Sequence, residues 1–385
     1  MHRLIRALRP RDPEEHHRAA TTLELFFDLV TVIVIASVTA GLHHGISSGH
    51  GLEALVPFIF LFVGIWWAWM NFTWFASAFD NDDVPYRLLV MVIIAGELMF
   101  AGAAPFIFEG HGTAWGLIGW VVMRLGMVGL WLRASRGSAE YRVTCRRYAI
   151  GVSVAQICWV AVFLLVPAEP SARFFAIAGL VYIVELAVPI WAESARPTPF
   201  HRHHIIERYG LLMIISLGEI LLSVSQGFAT MNSDDPSLAA FVASLSGGVI
   251  VFAIWWIYFC EDEHLRTTRM PQAILWGYGH VFVFMATALL GAALAAEVDL
   301  YTDQSETTGQ VVGKWTGAGL ALVSLALWFV RDRAAALAPG QKLALPAMGI
   351  LFLIAGMFGA PAWMFAILAV AMVVWRAPHG RSVSA

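Results

Sequence analysis

The chain has 385 residues, 59% of them hydrophobic and only 13% charged, with a net charge of −3. A water-soluble globular domain carries about 25% charged residues, so this composition excludes one, and the balance of charge excludes a nucleic-acid partner. Three cysteines, Cys145, Cys158 and Cys260, with no CxxC spacing, offer neither a disulfide framework nor a thiolate metal pattern.

A helix that crosses a bilayer needs about 20 predominantly apolar residues. In chain order the hydropathy predicts twelve spans, over 21–42, 52–79, 85–108, 113–133, 147–166, 172–191, 205–228, 237–259, 271–296, 314–330, 342–359 and 361–375. Only Gly359-Ala360-Pro361 joins the last two, which suits a tight hairpin or a single broken helix. The basic residues fall in alternate gaps. Arg3, Arg6, Arg9, Arg11 and Arg18 precede the first span, and further groups follow spans 2, 4, 6, 8, 10 and 12, so that 21 of 24 lie on one side. Cytoplasmic loops carry the excess of Lys and Arg. The expectation is therefore a multi-pass inner-membrane protein with both termini cytoplasmic. A cleaved signal peptide is the competing reading of residues 1–40; Glu24 and Asp28 inside the apolar run, and its length, favour a retained helix.

The two halves carry similar motifs in the same order. Glu24-Leu-Phe-Phe opens span 1 and Glu207-Arg-Tyr-Gly opens span 7; Gly64-Ile-Trp-Trp in span 2 is matched by Ala253-Ile-Trp-Trp in span 8. Each Trp-Trp span ends in an acidic run, Asp80-Asn-Asp-Asp and Glu261-Asp-Glu. The predicted fold class is an all-α membrane protein of about twelve transmembrane helices in two parallel six-helix repeats. Its parts are a basic arm over 1–20, repeats over 21–191 and 205–375, and a tail over 376–385. Transporters are often built from such repeats, although Trp-rich membrane helices also resemble one another by composition alone.

Ionisable residues inside the membrane are costly and usually have a partner or a purpose. At about 1.5 Å per residue, Glu97, Arg124 and Glu219 come out near the midplane. Asp28, Asn71, Glu185 and His280 lie shallower, and Glu24 and Glu207 close to the interface. Glu24 and Glu207 also suit a first turn, where a carboxylate complements the helix dipole. Arg124 reads most simply as the counter-ion of Glu97 or Glu219. His280 reads as a hydrogen-bonded packing residue or as a base. After Arg124 is paired, a surplus of carboxylate remains, and that favours cations or protons.

Span 2 carries Trp66, Trp67, Trp69, Asn71 and Trp74, with Trp67, Asn71 and Trp74 on one helical face. Such a face can stack a flat or cationic ligand, or anchor the helix at the interface. His43, His44 and His50, and His201, His203 and His204, lack the paired spacing of a zinc enzyme, so neither tract is taken as a metal site. No phosphate loop, dinucleotide fingerprint or nucleophile elbow is present, and no cofactor is expected.

Three motifs carry a resemblance. They are Thr22-Leu-Glu-Leu-Phe-Phe-Asp-Leu-Val, Trp66-Trp67-Ala-Trp69-Met-Asn71-Phe-Thr-Trp74-Phe with Phe79-Asp80-Asn-Asp82-Asp83, and Glu207-Arg208-Tyr209-Gly210 with Leu217-Gly218-Glu219. Over roughly residues 20 to 375 the chain resembles the bacterial low temperature requirement protein A family. The resemblance implies a many-helix inner-membrane protein linked by name to growth in the cold, and it brings no agreed biochemical activity. Tyr209 stands where that family usually has Phe. A looser similarity, in Phe26-Phe27-Asp28 after Arg18, is to endolysosomal and bacterial potassium channels built from two six-helix repeats.

These readings point to a cation- or proton-linked transporter or channel. Asp28, Glu97, Glu219, Arg124, Asn71 and His280 would bind or relay the ion, with Trp66, Trp67, Trp74, Glu24, Glu207 and Arg208 as ligand-lining candidates. The alternatives are an intramembrane enzyme acting on a lipid-soluble substrate, with His280 as base, and a sensor or scaffold of membrane state. Membrane lipids, and a small cation or proton, are the expected partners; an oligomer is compatible with all three readings.

Overall fold

A computed structural model of the protein describes residues 5–15, 18–166, 171–232, 236–261, 265–302 and 304–376. Arg3, Arg381, Asp262, Glu263 and the tail beyond Arg376 lie outside the described residues. Among the described residues there are twelve α-helices and no strand. They are α1 (Thr22–Ser47), α2 (Gly51–Phe79), α3 (Val84–Phe108), α4 (Thr113–Gly137), α5 (Arg142–Leu165), α6 (Ala172–Glu193), α7 (Arg202–Ala229), α8 (Leu238–Phe259), α9 (Met270–Asp299), α10 (Gly309–Leu327), α11 (Pro339–Met357) and α12 (Ala362–Arg376). A 3-10 turn, Thr230–Asn232, follows α7, and a π-turn, Trp328–Asp332, follows α10. Eleven of the helices are long and apolar enough to cross a membrane.

Local chemistry sets many of the ends. Thr21 and Glu24 form a reciprocal box, Thr21 N–H donating to Glu24 Oε2 (2.7 Å) and Glu24 N–H to Thr21 Oγ1 (3.2 Å). Asp83 caps α3 by accepting from Tyr86 N–H, with a proline in the first turn. Ser171, Ser237 and Thr308 cap α6, α8 and α10 in the same way. The junction left open by the sequence is a hairpin: α11 and α12 are separate helices packed on one another. Gly359 turns the chain in the left-handed region at φ 67°, where a side chain is disfavoured. With 15 residues, α12 is about 22 Å long, shorter than a bilayer core of about 30 Å.

Several ends lie up to five residues from expectation, and two of these shifts bear on named residues. α1 continues to Ser47, so His43 and His44 are helical and not in a loop. α7 begins at Arg202, three residues before the expected start, and Arg208, counted with the basic residues at the cytoplasmic side, lies within the helix with its side chain fully buried.

The chain divides into two compact units. The first takes α1 up to Gly41, Val56–Leu212 and Thr267–Ile274. In it α3 packs on α4, α4 on α5 and α5 on α6. The α3–α4 contact is backbone to backbone. A Cβ on Gly96 would lie 2.6 Å from the Gly119 carbonyl oxygen, and one on Gly119 would lie 2.8 Å from that of Gly96. Small residues allow such approach where lipid leaves no hydrophobic force between helices. The arm before α1 is docked. Arg6 N–H donates to Asp83 Oδ2 and Arg11 N–H to the Ala78 carbonyl, Leu8 is buried, and the Arg18 guanidinium reaches the carbonyls of Ala76 and Ser77 that end α2.

The second unit takes Leu42–Leu55, Met213–Arg266 and the chain from Leu275. Here α10 packs on α11, α8 on α12 and α11 on α12. Its ion pairs sit at helix ends. Arg376 makes a two-pronged bond to Asp332 (2.6 and 2.8 Å) and a third to Glu261 (3.0 Å), and His43 Nε2 lies 2.7 Å from Asp299.

Candidate functional site

The first unit contains a line of buried charges that starts on one face of α1, where Glu24, Asp28 and Thr31 recur at helical spacing. His204 and Arg208 on α7 have the same four-residue spacing and meet the first two. Glu24 lies 3.0 Å from His204 Nε2, 3.1 Å from Arg208 Nη1 and 3.9 Å from Arg18 Nη2. One turn on, Arg208 grips Asp28 with both prongs, Nε to Oδ2 at 3.0 Å and Nη2 to Oδ1 at 2.6 Å. The Trp69 indole N–H donates to the same carboxylate at 2.6 Å. Planar guanidinium suits a carboxylate in this way, and the extra donor offsets the desolvation of both ions.

A second pair lies on α4 and α6. Arg124 Nη2 is 3.4 Å from Glu185 Oε2, and the guanidinium lies over the Trp120 ring at 4.2 Å. Glu185 also accepts from the indoles of Trp67 (2.8 Å) and Trp159 (3.2 Å) and from the Gln156 amide (3.3 Å). Arg124 is therefore the counter-ion of Glu185, whereas its depth alone suggested Glu97 or Glu219.

Glu97 on α3 faces both pairs. Asp28 from α1 and Arg124 from α4 are the charged groups near enough to act on it. It is fully buried, its Oε2 lies 3.2 Å from Thr31 Oγ1, and its Oε1 has no hydrogen-bond partner. Most of the other carboxylates in the line have a guanidinium within salt-bridge reach; Glu97 has none among the described residues.

The remaining candidates are dispersed. Trp67, Asn71 and Trp74 share a face yet have different partners: Asn71 Nδ2 donates to the Trp67 carbonyl (2.7 Å) and Trp74 Nε1 to Tyr209 OH (3.1 Å). Asn71 and Trp74 line a cavity of about 20 Å³, and Trp66 is buried against Trp67. Glu207 accepts from Ala20 N–H and lines an open cleft of about 640 Å³ with Glu14, Glu15, Arg18, His201 and His203. In the second unit Glu219 is half-buried, and no ion pair reaches it among the described residues. His280 is buried with Nδ1 2.9 Å from the Trp276 carbonyl, ringed by Trp276, Tyr258 and Phe284. Among the described residues no group of three or more His, Cys, Asp or Glu side chains is placed to hold a metal ion.

Thr31, Trp69, Trp159, Gln156, Arg18 and His204 were not singled out as site residues. The complementary four-residue spacings, Glu24/Asp28 against His204/Arg208, were the one visible signal for this group.

Fold and geometry together define a multi-pass helical membrane protein with ion pairs buried inside one unit. The sequence model of the bacterial low temperature requirement A protein (LtrA) matches residues 19–377, and the chain belongs to that family. It is similar to an uncharacterized protein of Rhizobium meliloti (strain 1021), 29% identical over 274 residues. That alignment covers 67% of this chain and 64% of the relative, less than two thirds of the relative's length. No solved structure matches the chain.

Proposed function

We propose that the protein is a cation- or proton-linked transporter or channel of the inner membrane, with its basic side and both termini cytoplasmic. The observation that carries this is Glu97, a carboxyl group in the interior of the first unit that faces Asp28 and Arg124 and has no cation of its own. An intramembrane acid left unpaired is expensive and is kept for a reason. The neighbouring acids read differently. Asp28 is hydrogen-bonded by Arg208 and Trp69, and Glu24 has His204, Arg208 and Arg18 within ion-pair reach. In this reading they fix α1 against α2 and α7 and hold the field around Glu97. Arg124 with Glu185 does the same from the other side.

The test is flux from purified protein in liposomes under K⁺, Na⁺ and H⁺ gradients imposed in turn. Flux above that of empty liposomes for at least one ion supports the reading. Silence for all three, from protein that is monodisperse and unfolds cooperatively, ends it.

A further inference from the structure

The environment of Glu97 also bears on which ion is carried, given the transport reading above, on which this inference rests. Thr31 Oγ1 lies 3.1 Å from the Phe27 carbonyl oxygen and 3.2 Å from Glu97 Oε2. A hydroxyl has one hydrogen to donate, and a carbonyl oxygen can only accept. When the Thr31 hydrogen points to Phe27, the common back-bond of a helical threonine, the contact to Glu97 needs a hydrogen from Glu97 itself. The neutral acid then donates to Thr31. When Glu97 is a carboxylate, the Thr31 hydrogen turns to it, and the Phe27 carbonyl keeps its own helical bond. One rotation about the Thr31 C–O bond therefore leaves Glu97 hydrogen-bonded in either protonation state.

The same surroundings suit a metal cation poorly. Potassium filters and calcium sites replace a hydration shell with several oxygens. Glu97 has one hydroxyl in hydrogen-bond contact, and among the described residues no group of three or more His, Cys, Asp or Glu side chains is placed to hold a metal ion. The charged groups facing it are Asp28 on α1 and Arg124 on α4. Asp28 is paired with Arg208, and Arg124, paired with Glu185 through Nη2, is fully buried with its Nε lacking a hydrogen-bond partner. A metal ion on Glu97 would face that guanidinium as a like charge. A proton on Glu97 leaves a neutral group, and its departure leaves an anion that Arg124 stabilises.

We infer that the species carried is a proton and that Glu97 is the group that carries it, with Thr31 as its rotating hydrogen-bond partner. In the step the Glu97 O–H bond breaks, the proton passes to water on one side, and the carboxylate remains opposite Arg124. A proton from water on the other side re-forms the bond. No electrons change hands.

The experiment reads proton flux with a pH-sensitive dye, and rubidium and sodium tracer uptake, in liposomes carrying wild type, Glu97→Gln or Thr31→Val. Infrared spectra of the same samples at neutral pH report the carbonyl stretch of a protonated carboxylic acid. Wild type is expected to move protons and neither tracer, and Glu97→Gln to lose proton flux by about tenfold or more, together with the acid band. Thr31→Val is expected to slow the flux and keep the band. Should Glu97→Gln fail to fold, Glu97→Asp replaces it, with slowed flux expected because the shorter acid leaves Thr31. Tracer uptake without proton flux overturns the inference and leaves the transport reading standing. Proton flux undiminished in the folded Glu97→Gln protein removes Glu97 from the path. No flux of any ion overturns both.

Discussion

Two helices carry the same Ile-Trp-Trp and treat it in opposite ways. In α2, Trp66 and Trp67 are 2% and 1% exposed, and Trp67 donates to Glu185. In α8, Trp255 and Trp256 are 45% and 55% exposed, and Ala253, Ile254, Ile257 and Tyr258 hold the buried face instead. The contrast extends to the charges. The first unit places Asp28, Glu97, Arg124, Glu185 and Arg208 inside its helices, all buried. The ion pairs of the second unit, Arg376 with Asp332 and His43 with Asp299, lie at or near helix ends. Tryptophan next to buried carboxylate is a hydrogen-bond donor, and tryptophan without one is apolar surface that can face lipid. What decides is the neighbouring helix and not the motif.

The largest test of that contrast removes a guanidinium from each unit. Arg208→Gln strands Asp28 in the interior and removes one of the three ion-pair partners of Glu24, and breaking a buried pair from one side costs about 3–5 kcal/mol. Arg376→Gln strands Asp332, while Glu261, its other partner, is only partly buried and pairs also with Arg266. A cost nearer the lower end of that range is expected. Denaturant unfolding in mild detergent ranks the two. Equal losses would erase the distinction between an interior network and an edge.

A second contrast lies within the short linker between α2 and α3, and pH resolves it. Burial, helped by the charge of Glu24, pushes the Asp80 carboxyl up from 3.8 to about 6. Folding thus favours its neutral form. Its contribution is complete below about pH 4 and is lost as pH rises through 6, a change on the order of 2–3 kcal/mol. Asp83 goes the other way: burial alone would raise it, but the Arg6 backbone N–H and the Arg133 guanidinium hold it below its usual value. Its contribution is present at neutral pH and is lost as pH falls through the acidic range. Asp80→Asn should therefore gain stability at pH 7 to 8 and flatten the profile above pH 4. Asp83→Asn should lose stability at pH 7, and its deficit should shrink on acidification. Parallel profiles for the two variants would show that the linker titrates as one group.

The helices were legible because hydropathy over about 20 residues is a strong, local signal. The place of Glu24 in a first turn was legible for the same reason, since it is contained in a few consecutive residues. The charge count was not. Arg208, at the opening of the predicted span 7, counts from sequence as one more basic residue at the cytoplasmic side, because nothing local says that its side chain turns inward to Asp28. Moving Arg208 inside removes one charge of the carboxylate surplus that the sequence suggests, the one carried by Asp28. The choice of Glu185 for Arg124 was equally invisible: depth along a helix gives one coordinate, and pairing needs the rotation and neighbours of α4 and α6. The docked arm was hidden as well. Basic residues outside a membrane satisfy the topology rule whether or not they fold back, and only Leu8, buried beside Gly137, breaks the polar pattern.

The smallest predicted effect returns to the repeated motif. Trp67→Phe keeps an aromatic ring in the core and removes one donor from Glu185, which retains Trp159, Gln156 and Arg124. A hydrogen bond to a charged group is worth about 1.5–3 kcal/mol, and the surviving donors bring the expected loss to about 1–2 kcal/mol. Trp256→Phe removes an indole N–H from an exposed face and should stay within about 0.5 kcal/mol, the usual range for surface changes. Tryptophan fluorescence adds an independent reading. The Trp67 variant should lose a buried emitter insensitive to quenchers in the lipid phase, and the Trp256 variant an accessible one. If both variants lose the same quenchable fraction, α8 does not face the lipid, and its tryptophans would have to be covered by a second chain.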